Sequence, residues 1–329
     1  MKFKYNYVFF NTADRNIRKR NPNGYNTICA KDLENMENVN LVSYPLDWAP
    51  QIIRWLFYFT VKFNLPIKRL WYPFYFKNRF KDKKPLCFIA SGTYLSPGYL
   101  RYLRRKYKDA KFIKIHRDLI SLWEKRHPEF TNEVMEELFD IVMTYDEYEA
   151  RKYFLPSFSE YESKIEVKKA ENYPLCDVFF AGAAKNRLPI LMDVYKRLTD
   201  AGLSVNYYLT GVPPKDRKPY PGIEYAQRNM PYSEMLYKTV NAKCVLEVNQ
   251  ENSVGYTSRF LEAVMYNKKL ITNNLYIKNS KFYDEKLIKC FEKAEEIDTD
   301  FVKENTEINY NYKDEFSPVH LIEQIDKLL

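Results

Sequence analysis

In Asn252-Ser-Val-Gly-Tyr-Thr-Ser-Arg-Phe-Leu-Glu262-Ala-Val-Met-Tyr-Asn-Lys-Lys-Leu-Ile-Thr-Asn-Asn274, a loop, a helix start, a short helix and a buried strand follow one another. Gly255 allows the backbone to approach a ligand closely, and Thr257 or Ser258 can cap the helix so that its first N–H groups face outward. Such a helix start is suited to a diphosphate. Glu262 lies about one turn into the helix, near enough to accept hydrogen bonds from a ribose of the same ligand. The segment therefore indicates a nucleotide-diphosphate ligand, although many ordinary helices also begin with Gly-x-Thr-Ser.

Short apolar runs alternate with helical stretches along the chain, a pattern typical of a doubly wound, largely parallel sheet. In the first half the predicted strands are residues 5–10, 39–43, 86–90, 111–115 and 141–145, and the predicted helices are 50–62, 97–107 and 131–138. In the second half the predicted strands are 177–181, 204–209, 244–248 and 269–272, and the predicted helices are 187–201, 231–239 and 257–266. The polar stretch from Pro156 onward is expected to connect two α/β domains.

Glycines and polar side chains follow the first three predicted strands of the second half. Ligands of open α/β sheets bind at the carboxyl ends of the strands. After the first strand, Gly182 is expected in a tight turn, and Lys185 and Arg187 provide positive charge beside a helix start, which suits a phosphate. An ordinary turn with solvated bases is the alternative. Gly211 is a predicted turn glycine after the second strand, and Asn249 follows the third. The three strand ends together favour a nucleotide site.

The charge balance narrows the classes of partner. The net charge is +9 and the pI is near 9.0, which favours polyanions, an anionic membrane surface or phosphorylated substrates. The sequence contains no RRM, zinc-finger or helix-turn-helix pattern, so we expect no nucleic-acid partner.

Cysteine and histidine spacing argues against a metal site. The five cysteines are widely separated, with no Cys-x-x-Cys pair, and the three histidines are scattered: Cys29, Cys87, Cys176, Cys244, Cys290, His116, His127 and His320. We expect no bound metal, and reduced thiols of a cytoplasmic protein. The first residues lack a signal-peptide pattern, and no apolar run approaches the ~20 residues of a membrane-spanning helix.

Several segments resemble a known family. They are Phe139-Asp-Ile-Val-Met-Thr-Tyr-Asp-Glu-Tyr-Glu-Ala-Arg-Lys-Tyr-Phe, Asp177-Val-Phe-Phe-Ala-Gly-Ala-Ala-Lys-Asn-Arg-Leu, Gly202-Leu-Ser-Val-Asn-Tyr-Tyr-Leu-Thr-Gly, and Cys244-Val-Leu-Glu-Val-Asn-Gln through Lys268-Lys-Leu-Ile-Thr-Asn-Asn. The later segments are similar to the donor domain of bacterial GT-B glycosyltransferases, and the first is similar to the last strand and helix of their acceptor domain. The resemblance is to members that work in polysaccharide, capsule or lipopolysaccharide biosynthesis.

This resemblance implies a GT-B-like α/β fold of two Rossmann-like, doubly wound domains that face each other across a cleft. Residues 1–160 would form the acceptor-side domain and residues 161–318 the nucleotide-sugar-binding domain. Residues 319–329 are predicted to form a final amphipathic helix that packs on either domain. The donor substrate would be a nucleotide-diphosphate sugar, with no further cofactor and no metal requirement.

The resemblance also assigns the donor contacts. Lys185 and Arg187 would meet the phosphates, and Glu262 the ribose or the donor sugar. The loop expected to meet the diphosphate consists of Gly255, Tyr256, Thr257 and Ser258.

The chain departs from the family pattern at two places. Asn11-Thr-Ala-Asp14 stands where many members have a Gly-rich loop. Many members also carry two glutamates seven residues apart; Val254 stands near the first of these positions, and Glu251 is a loose substitute. The donor-sugar contact and the choice between retention and inversion therefore stay open.

Three residues of the first domain are candidates for a general base that activates an acceptor hydroxyl. His116 and Asp118 end a predicted strand, and Asp14 follows the first strand. The alternative is that Asp118 caps the next helix and His116 is a packed strand-end residue. A retaining enzyme needs no such base.

The expected function is that of a hexosyl- or related glycosyltransferase in cell-surface polysaccharide synthesis. It would transfer a sugar from the nucleotide-diphosphate donor to a glycan or a polyprenyl- or lipid-linked acceptor. A nucleotide-sugar epimerase of the same fold is the alternative enzyme, and a catalytically silent GT-B-like binding protein is the alternative from another class.

One segment of the first domain indicates where the protein works. Aromatic and aliphatic residues crowd positions 52–76, and five bases follow: Lys77, Arg79, Lys81, Lys83 and Lys84. This mixture suits peripheral contact with an anionic membrane, which would place the enzyme at the cytoplasmic, inner face of the cell membrane. The alternative is a buried helix followed by a solvated basic loop.

Overall fold

A computed structural model describes residues 3–11, 24–42, 46, 48–63, 65, 67–91, 95–168, 173, 175–250 and 253–329, except for the side chains of Val61 and Lys68. The chain divides into two compact units. The N-terminal unit consists of Met1–Ser163 together with Phe316–Leu329, and the C-terminal unit is Lys164–Glu315.

The N-terminal unit is built on a five-stranded parallel sheet with the strand order β2-β1-β3-β4-β5. Its strands are β1 (Asn6–Phe10), β2 (Val39–Val42), β3 (Leu86–Ala90), β4 (Lys111–His116) and β5 (Ile141–Thr144). Its helices are α1 (Tyr25–Cys29), α2 (Gln51–Lys62), α3 (Tyr72–Tyr75), α4 (Pro97–Lys106), α5 (Ile120–Arg126), α6 (Asn132–Leu138) and α7 (Glu147–Tyr153), with 3₁₀ helices at Lys31–Asn35 and Lys68–Trp71.

Both faces of this sheet are covered, because neighbouring residues of one strand enter different cores. Val8 and Phe10 pack in one apolar cluster, whereas Tyr7 and Phe9 pack in another. A strand buried on both faces has a continuous apolar sequence instead of an alternating one. This explains why the strand sequence Asn6-Tyr-Val-Phe-Phe10 contains four apolar residues in succession.

The C-terminal unit has a six-stranded parallel sheet with the order β11-β10-β9-β6-β7-β8. Its strands are β6 (Cys176–Ala183), β7 (Val205–Thr210), β8 (Ile223–Ala226), β9 (Ala242–Glu247), β10 (Lys269–Thr272) and β11 (Ile288–Cys290). Its helices are α8 (Leu188–Asp200), α9 (Tyr232–Asn241), α10 (Ser258–Met265) and α11 (Thr299–Lys303), with 3₁₀ helices at Lys185–Arg187, Pro214–Asp216, Leu275–Asn279 and Ala294–Glu296. The strand order is that of a Rossmann fold, whose order reverses between its first and fourth strands, here β6 and β9.

The last helix, α12 (Pro318–Leu328), packs on the N-terminal unit. Leu321, Ile322 and Ile325 are buried in the same apolar cluster as Tyr7 and Phe9 of β1. The sequence left open which domain this helix joins, and the apolar cluster settles the choice.

The predicted α/β architecture is confirmed. Every predicted strand is present, and its ends differ from the prediction by at most two residues. The edge strands β8 and β11 were not predicted. Among the described residues, no helix combines the length and apolar character needed to cross a bilayer.

Candidate functional site

The strand order of the C-terminal unit defines a crevice at the carboxyl ends of β6 and β9. At such a switch point the two connections leave toward opposite faces of the sheet, so a ligand can enter between them. Ala183 ends β6 and leads to Lys185 and Arg187, whereas Glu247 ends β9 and leads to Asn249. The predicted phosphate-binding bases therefore lie at the edge of the sheet where a nucleotide binds in this topology.

Arg187 joins the two strands at this edge. One terminal nitrogen donates to the carbonyl of Val248 at 2.6 Å, and the other donates to the carbonyl of Ala183. Its Nε is buried without a hydrogen-bond partner in the described part of the chain. Within the same described residues, the Arg187 side chain forms no ion pair. Burial, followed by the charge of Arg259, lowers the pKa of Arg187. The charge of Glu247 opposes this shift only in part, and an anionic ligand beside the guanidinium would act in the same direction as Glu247.

Lys185 has a left-handed backbone with a φ of 48°, a conformation that is unfavourable for a residue with a side chain and is enriched at functional sites. Its Nζ lies 3.2 Å from Oε1 of Gln250, beyond the end of β9. Gly182, by contrast, is part of β6 and does not form the predicted turn, because the strand continues to Ala183. Lys185 and Arg187 are thus held near the same crevice.

Glu247 connects the end of β9 to the start of α10 and to β10 through hydrogen bonds. It was not singled out from the sequence. It is 1% exposed and accepts hydrogen bonds from the hydroxyl of Thr257 and, at 2.5 Å, from the hydroxyl of Thr272. Burial raises its pKa, while the two hydroxyls act in the opposite direction. The signal that could have identified it is a carboxylate in the apolar run Cys244-Val-Leu-Glu-Val.

Thr257 is the cap of α10. Its side-chain oxygen accepts from the backbone N–H of Arg259 at 3.2 Å, and Ser258 is the first helical residue. The bond from Thr257 to Glu247 fixes the helix start against the end of β9. The first N–H groups of α10 thereby lie beside the same edge of the sheet as Arg187, the arrangement that favours anions.

The loop before α10 is held by a hydrogen bond to its backbone and by the packing of an aromatic ring. The carbonyl of the buried Gly255 accepts from Nδ2 of Asn274 at 3.2 Å. The ring of Tyr256 packs 4.8 Å from that of Phe260 and 6.0 Å from that of Tyr276. These contacts hold the predicted diphosphate loop against Asn274, Phe260 and Tyr276.

Glu262 lies in an enclosed environment. It is 0% exposed, accepts a hydrogen bond at 2.8 Å from the Tyr232 hydroxyl, and forms an ion pair with Arg259. Burial raises its pKa, and the charge of Arg259 opposes this rise. The carboxylate thus orients Arg259 and Tyr232, and the expected contact with a ribose would require the buried side chain to become accessible.

Asn249 and Gly211 complete the predicted set. Asn249 is 8% exposed; its backbone N–H donates to Asn273 at 2.6 Å, and its Oδ1 has no donor within the described ranges. An unpaired buried amide oxygen is unusual, so it is a ready acceptor for a ligand. Gly211 has a φ of 75° after β7, as predicted for a turn glycine.

The candidate bases of the N-terminal unit have unlike surroundings. His116 is 3% exposed, with its ring 4.9 Å from that of Trp123, and burial, followed by the charge of Lys114, lowers its pKa well below the usual range. Asp118 is exposed and pairs with Arg126 at 2.8 Å. It does not cap α5, whose cap position is Leu119. Asp14 lies outside the described residues.

A second cavity in the C-terminal unit lies at the opposite edge of the sheet. It measures about 660 Å³, and its wall includes Asp177, Ser204, Lys243 and Lys268, near the amino ends of the strands. Its charged groups already have partners: Lys243 pairs with Asp177 at 2.7 Å, and Lys268 donates to two backbone carbonyls. The carboxyl edge, with its unpaired Arg187 and Asn249 atoms, is the better ligand site.

Metal binding finds no support in the part of the chain that the structure describes. None of its groups of three or more His, Cys, Asp or Glu side chains is arranged to hold an ion.

The chain is similar in fold to several solved structures. A Listeria monocytogenes protein described as a UDP-N-acetylglucosamine 2-epimerase matches with a TM-score of 0.50 and 10% identity, over 99% of this chain and 96% of that one. A glycosyltransferase from Rickettsia africae matches with a TM-score of 0.48 and 11% identity, over 99% and 97% of the two chains.

A Staphylococcus aureus TarM variant in complex with Fondaparinux, alpha-GlcNAc-glycerol and UDP matches with a TM-score of 0.46 and 12% identity. That match covers 74% of this chain and 55% of the TarM chain. No protein family and no curated protein matches the sequence. The two sheet orders and the likeness to the Listeria structure show a GT-B-like fold.

Proposed function

We propose that the protein is a glycosyltransferase that uses a nucleotide-diphosphate sugar bound at the β6–β9 crevice. One observation carries this proposal: the Rossmann strand order brings Arg187, Lys185 and the capped start of α10 to the same edge of the sheet. Positive charge beside a helix start is the chemistry that a diphosphate requires.

The mechanism follows from where charge develops. Transfer breaks the bond between the anomeric carbon of the sugar and the diphosphate oxygen, and the bonding electrons leave with the diphosphate. Lys185, Arg187 and the first N–H groups of α10 would stabilise this charge. Groups that interact more strongly with the departing diphosphate than with the bound donor raise the turnover rate rather than the affinity alone.

The acceptor hydroxyl forms the new bond and loses its proton. We propose that the N-terminal unit provides the base, and Asp118 is the first candidate to test because it is exposed whereas His116 is buried. Asp14 is the second candidate. The acceptor class that we propose is a glycan or a polyprenyl- or lipid-linked saccharide of cell-surface polysaccharide, capsule or lipopolysaccharide synthesis, met at the inner face of the membrane.

Nucleotide binding is the first test. We expect UDP to raise the melting temperature, because a ligand that binds only the native state stabilises it by about 2.7 kcal/mol at one hundred times its Kd. GDP, ADP and dTDP serve as comparisons. Lys185→Met should weaken binding about tenfold, whereas Lys196→Met, an exposed lysine on α8, should not. If no nucleotide stabilises the protein, or if both variants bind like the wild type, the site assignment fails.

The reaction is the second test. A transferase should release UDP from a UDP-sugar slowly with water and faster with a suitable acceptor. An epimerase would instead change the sugar without an acceptor, and a binding protein would leave the donor intact. Product analysis by mass spectrometry and NMR separates these three outcomes.

A further inference from the structure

The N-terminal unit exposes large apolar side chains along α2 and the residues that follow it. Eight large apolar side chains are 38–68% exposed: Ile52, Trp55, Leu56, Phe59, Phe63, Ile67, Leu70 and Phe74. Those on α2 follow helical spacing along one side, and the opposite side of α2 enters the core through Phe57 and Thr60. We call the eight side chains the aromatic face. Large exposed apolar patches mark interaction sites.

The rings of the aromatic face contact one another. Trp55 stacks on Phe59 with 6.3 Å between ring centroids, and Phe59 contacts Phe63 at 4.5 Å. The 3₁₀ helix that carries Leu70 is fixed to α2 because Trp71 packs edge-on against Phe57 at 5.5 Å. Trp55, Phe59 and Phe63 therefore form one row of packed rings, and the 3₁₀ helix is packed against α2.

The charged residues of the segment that carries the aromatic face have a single sign. Between Trp48 and Lys81 the sequence contains no Asp or Glu, and it contains these bases: Arg54, Lys62, Lys68, Arg69, Lys77, Arg79 and Lys81. Lys77 also lies 5.4 Å over the ring of Trp48. Aromatic and aliphatic side chains among Lys and Arg are the composition of surfaces that bind anionic membranes.

A basic pocket shares this segment. It has a volume of about 260 Å³ and is lined by Arg69, Tyr72, Gly98, Arg101, Tyr102 and Arg105. We call it the arginine pocket. Arg69 directly precedes Leu70 of the aromatic face, so the pocket and the face are neighbours in the chain. Gly98 lets Tyr72 approach α4, because a Cβ there would lie 2.8 Å from the Tyr72 hydroxyl.

Two of the three arginines are available to a ligand. Arg101 is engaged by Glu137 in a bidentate pair at 2.7 and 2.6 Å. Arg69 and Arg105 form neither hydrogen bonds nor ion pairs with the rest of the described chain. Guanidinium groups match phosphate oxygens in geometry and charge, so the arginine pocket fits a phosphate group.

We propose that the aromatic face and the arginine pocket form one docking surface for an anionic phospholipid membrane. The rings lie at the depth of the headgroups, and the arginine pocket holds a lipid phosphate. A nucleic acid would leave Ile52, Leu56 and Leu70 without an apolar partner, and for this reason the observations favour a lipid surface. This inference rests on the proposed function in one respect: a lipid-linked acceptor would be met at the membrane that this surface binds.

Vesicle co-sedimentation tests the aromatic face. The full chain should bind phosphatidylcholine vesicles that contain phosphatidylglycerol, and Trp55→Gln/Phe59→Gln should reduce the partition coefficient at least about tenfold. The matched control is Tyr148→Gln/Phe154→Gln, which removes two rings of the same unit that are 55% and 95% exposed. Unchanged melting curves show that the variants are folded. Equal binding by both variants, or no wild-type binding at low salt, overturns the proposal.

The arginine pocket is tested by lipid chemistry. We expect Arg69→Gln/Arg105→Gln to reduce binding roughly 30-fold, and Lys125→Gln/Arg151→Gln, which neutralises two exposed bases of the same unit, to change it less. Wild type should prefer phosphatidylglycerol to a carboxylate lipid, dioleoylglycerol hemisuccinate, at equal surface charge. The Arg69→Gln/Arg105→Gln variant should lose this preference. Equal wild-type binding to both lipids overturns the phosphate assignment.

Two further measurements separate this inference from the proposed function. The Arg69→Gln/Arg105→Gln variant should keep the stabilisation by UDP, because the arginine pocket is distinct from the β6–β9 crevice. Vesicle binding without any nucleotide binding supports the docking surface and removes the proposed function; the reverse result removes the docking surface alone. Binding to duplex DNA that Arg69→Gln/Arg105→Gln abolishes, with no vesicle binding, assigns the surface to nucleic acid and overturns the proposal.

Discussion

Lys114 is a buried charge without a polar partner in the described part of the N-terminal unit. It lies on β4, is 3% exposed, and has its Nζ 4.7 Å from the centre of the Trp123 ring. Burial lowers its pKa from 10.5 to about 7, and the charge of Asp118 opposes the shift only partly. Burying an ammonium group costs stability as long as the group is charged.

This pKa predicts a pH-dependent gain of stability for Lys114→Met. Below pH 7 the lysine is protonated in both states and the full cost of burial applies. Between about pH 7 and 10.5 the unfolded chain binds the extra proton, so wild-type stability rises with pH. Lys114→Met should therefore stabilise more at pH 6 than at pH 9, by about 2–3 kcal/mol.

Tryptophan fluorescence during urea unfolding measures this difference in the N-terminal unit alone, because all four tryptophans, Trp48, Trp55, Trp71 and Trp123, belong to it. Lys108→Met, at an exposed lysine, is the control and should show no such pH dependence. A Lys114→Met gain that is equal at both pH values would show that the ammonium group is not the source.

The pair of Arg259 and Glu262 predicts a coupled effect on donor binding. If Glu262 acts by holding Arg259 near the diphosphate, Arg259→Gln and Glu262→Gln should each weaken UDP binding by about 1.5–3 kcal/mol. The double variant should be little weaker than either single variant, because both substitutions remove the same contact. Calorimetric titration of the three variants with UDP measures the coupling. Additive losses would instead assign Glu262 a contact of its own with the nucleotide.

At the scale of elements, the sequence predicts the buried strands but not the two short edge strands of the C-terminal unit. Residues 86–90 are found unchanged because a strand buried on both faces is continuously apolar. Residues 269–272 also form a strand with the predicted ends, and all four of them are buried. The short edge strands β8 and β11 escaped prediction, because β8 is incompletely buried and β11 has three residues. The pairing of β6 with β9 could be expected only from the resemblance, since 58 residues separate Ala183 from Ala242 in the chain.

The sequence predicted only part of the candidate site, because some of its contacts are local and others depend on distant residues. The cap at Thr257 and the bases Lys185 and Arg187 follow from local sequence around strand ends. The burial of Glu262 does not, because its partner Tyr232 lies 30 residues earlier on α9. Glu247 likewise depends on hydroxyls contributed by α10 and β10. Local sequence indicates which groups reach the carboxyl edge, and long-range packing decides which of them remain free for a ligand.

At the scale of the whole molecule, the two units differ in continuity. The C-terminal unit is one uninterrupted segment, Lys164–Glu315, with its own apolar cluster. The N-terminal unit needs α12 from beyond that segment, because Leu321, Ile322 and Ile325 complete the cluster around Tyr7 and Phe9.

This difference predicts the behaviour of fragments. Lys164–Glu315 should fold alone and bind UDP, whereas Met1–Ser163 should fold only when Phe316–Leu329 is supplied. Far-ultraviolet circular dichroism and cooperative thermal melting report on the first fragment, and tryptophan fluorescence reports on the second. A cooperatively folded Met1–Ser163 fragment without α12 would contradict the prediction.

The placement of α12 also sets an order of events on the ribosome. Residues 316–329 are synthesised only after the entire C-terminal unit, so the unit that is translated first is the last to obtain all of its core. At about 5–20 residues per second, the apolar surface around β1 waits roughly ten to thirty seconds for its covering helix. During that interval the nascent chain exposes a binding surface for chaperones, and a ribosome that stalls before residue 316 leaves the N-terminal unit as a target for quality-control proteases.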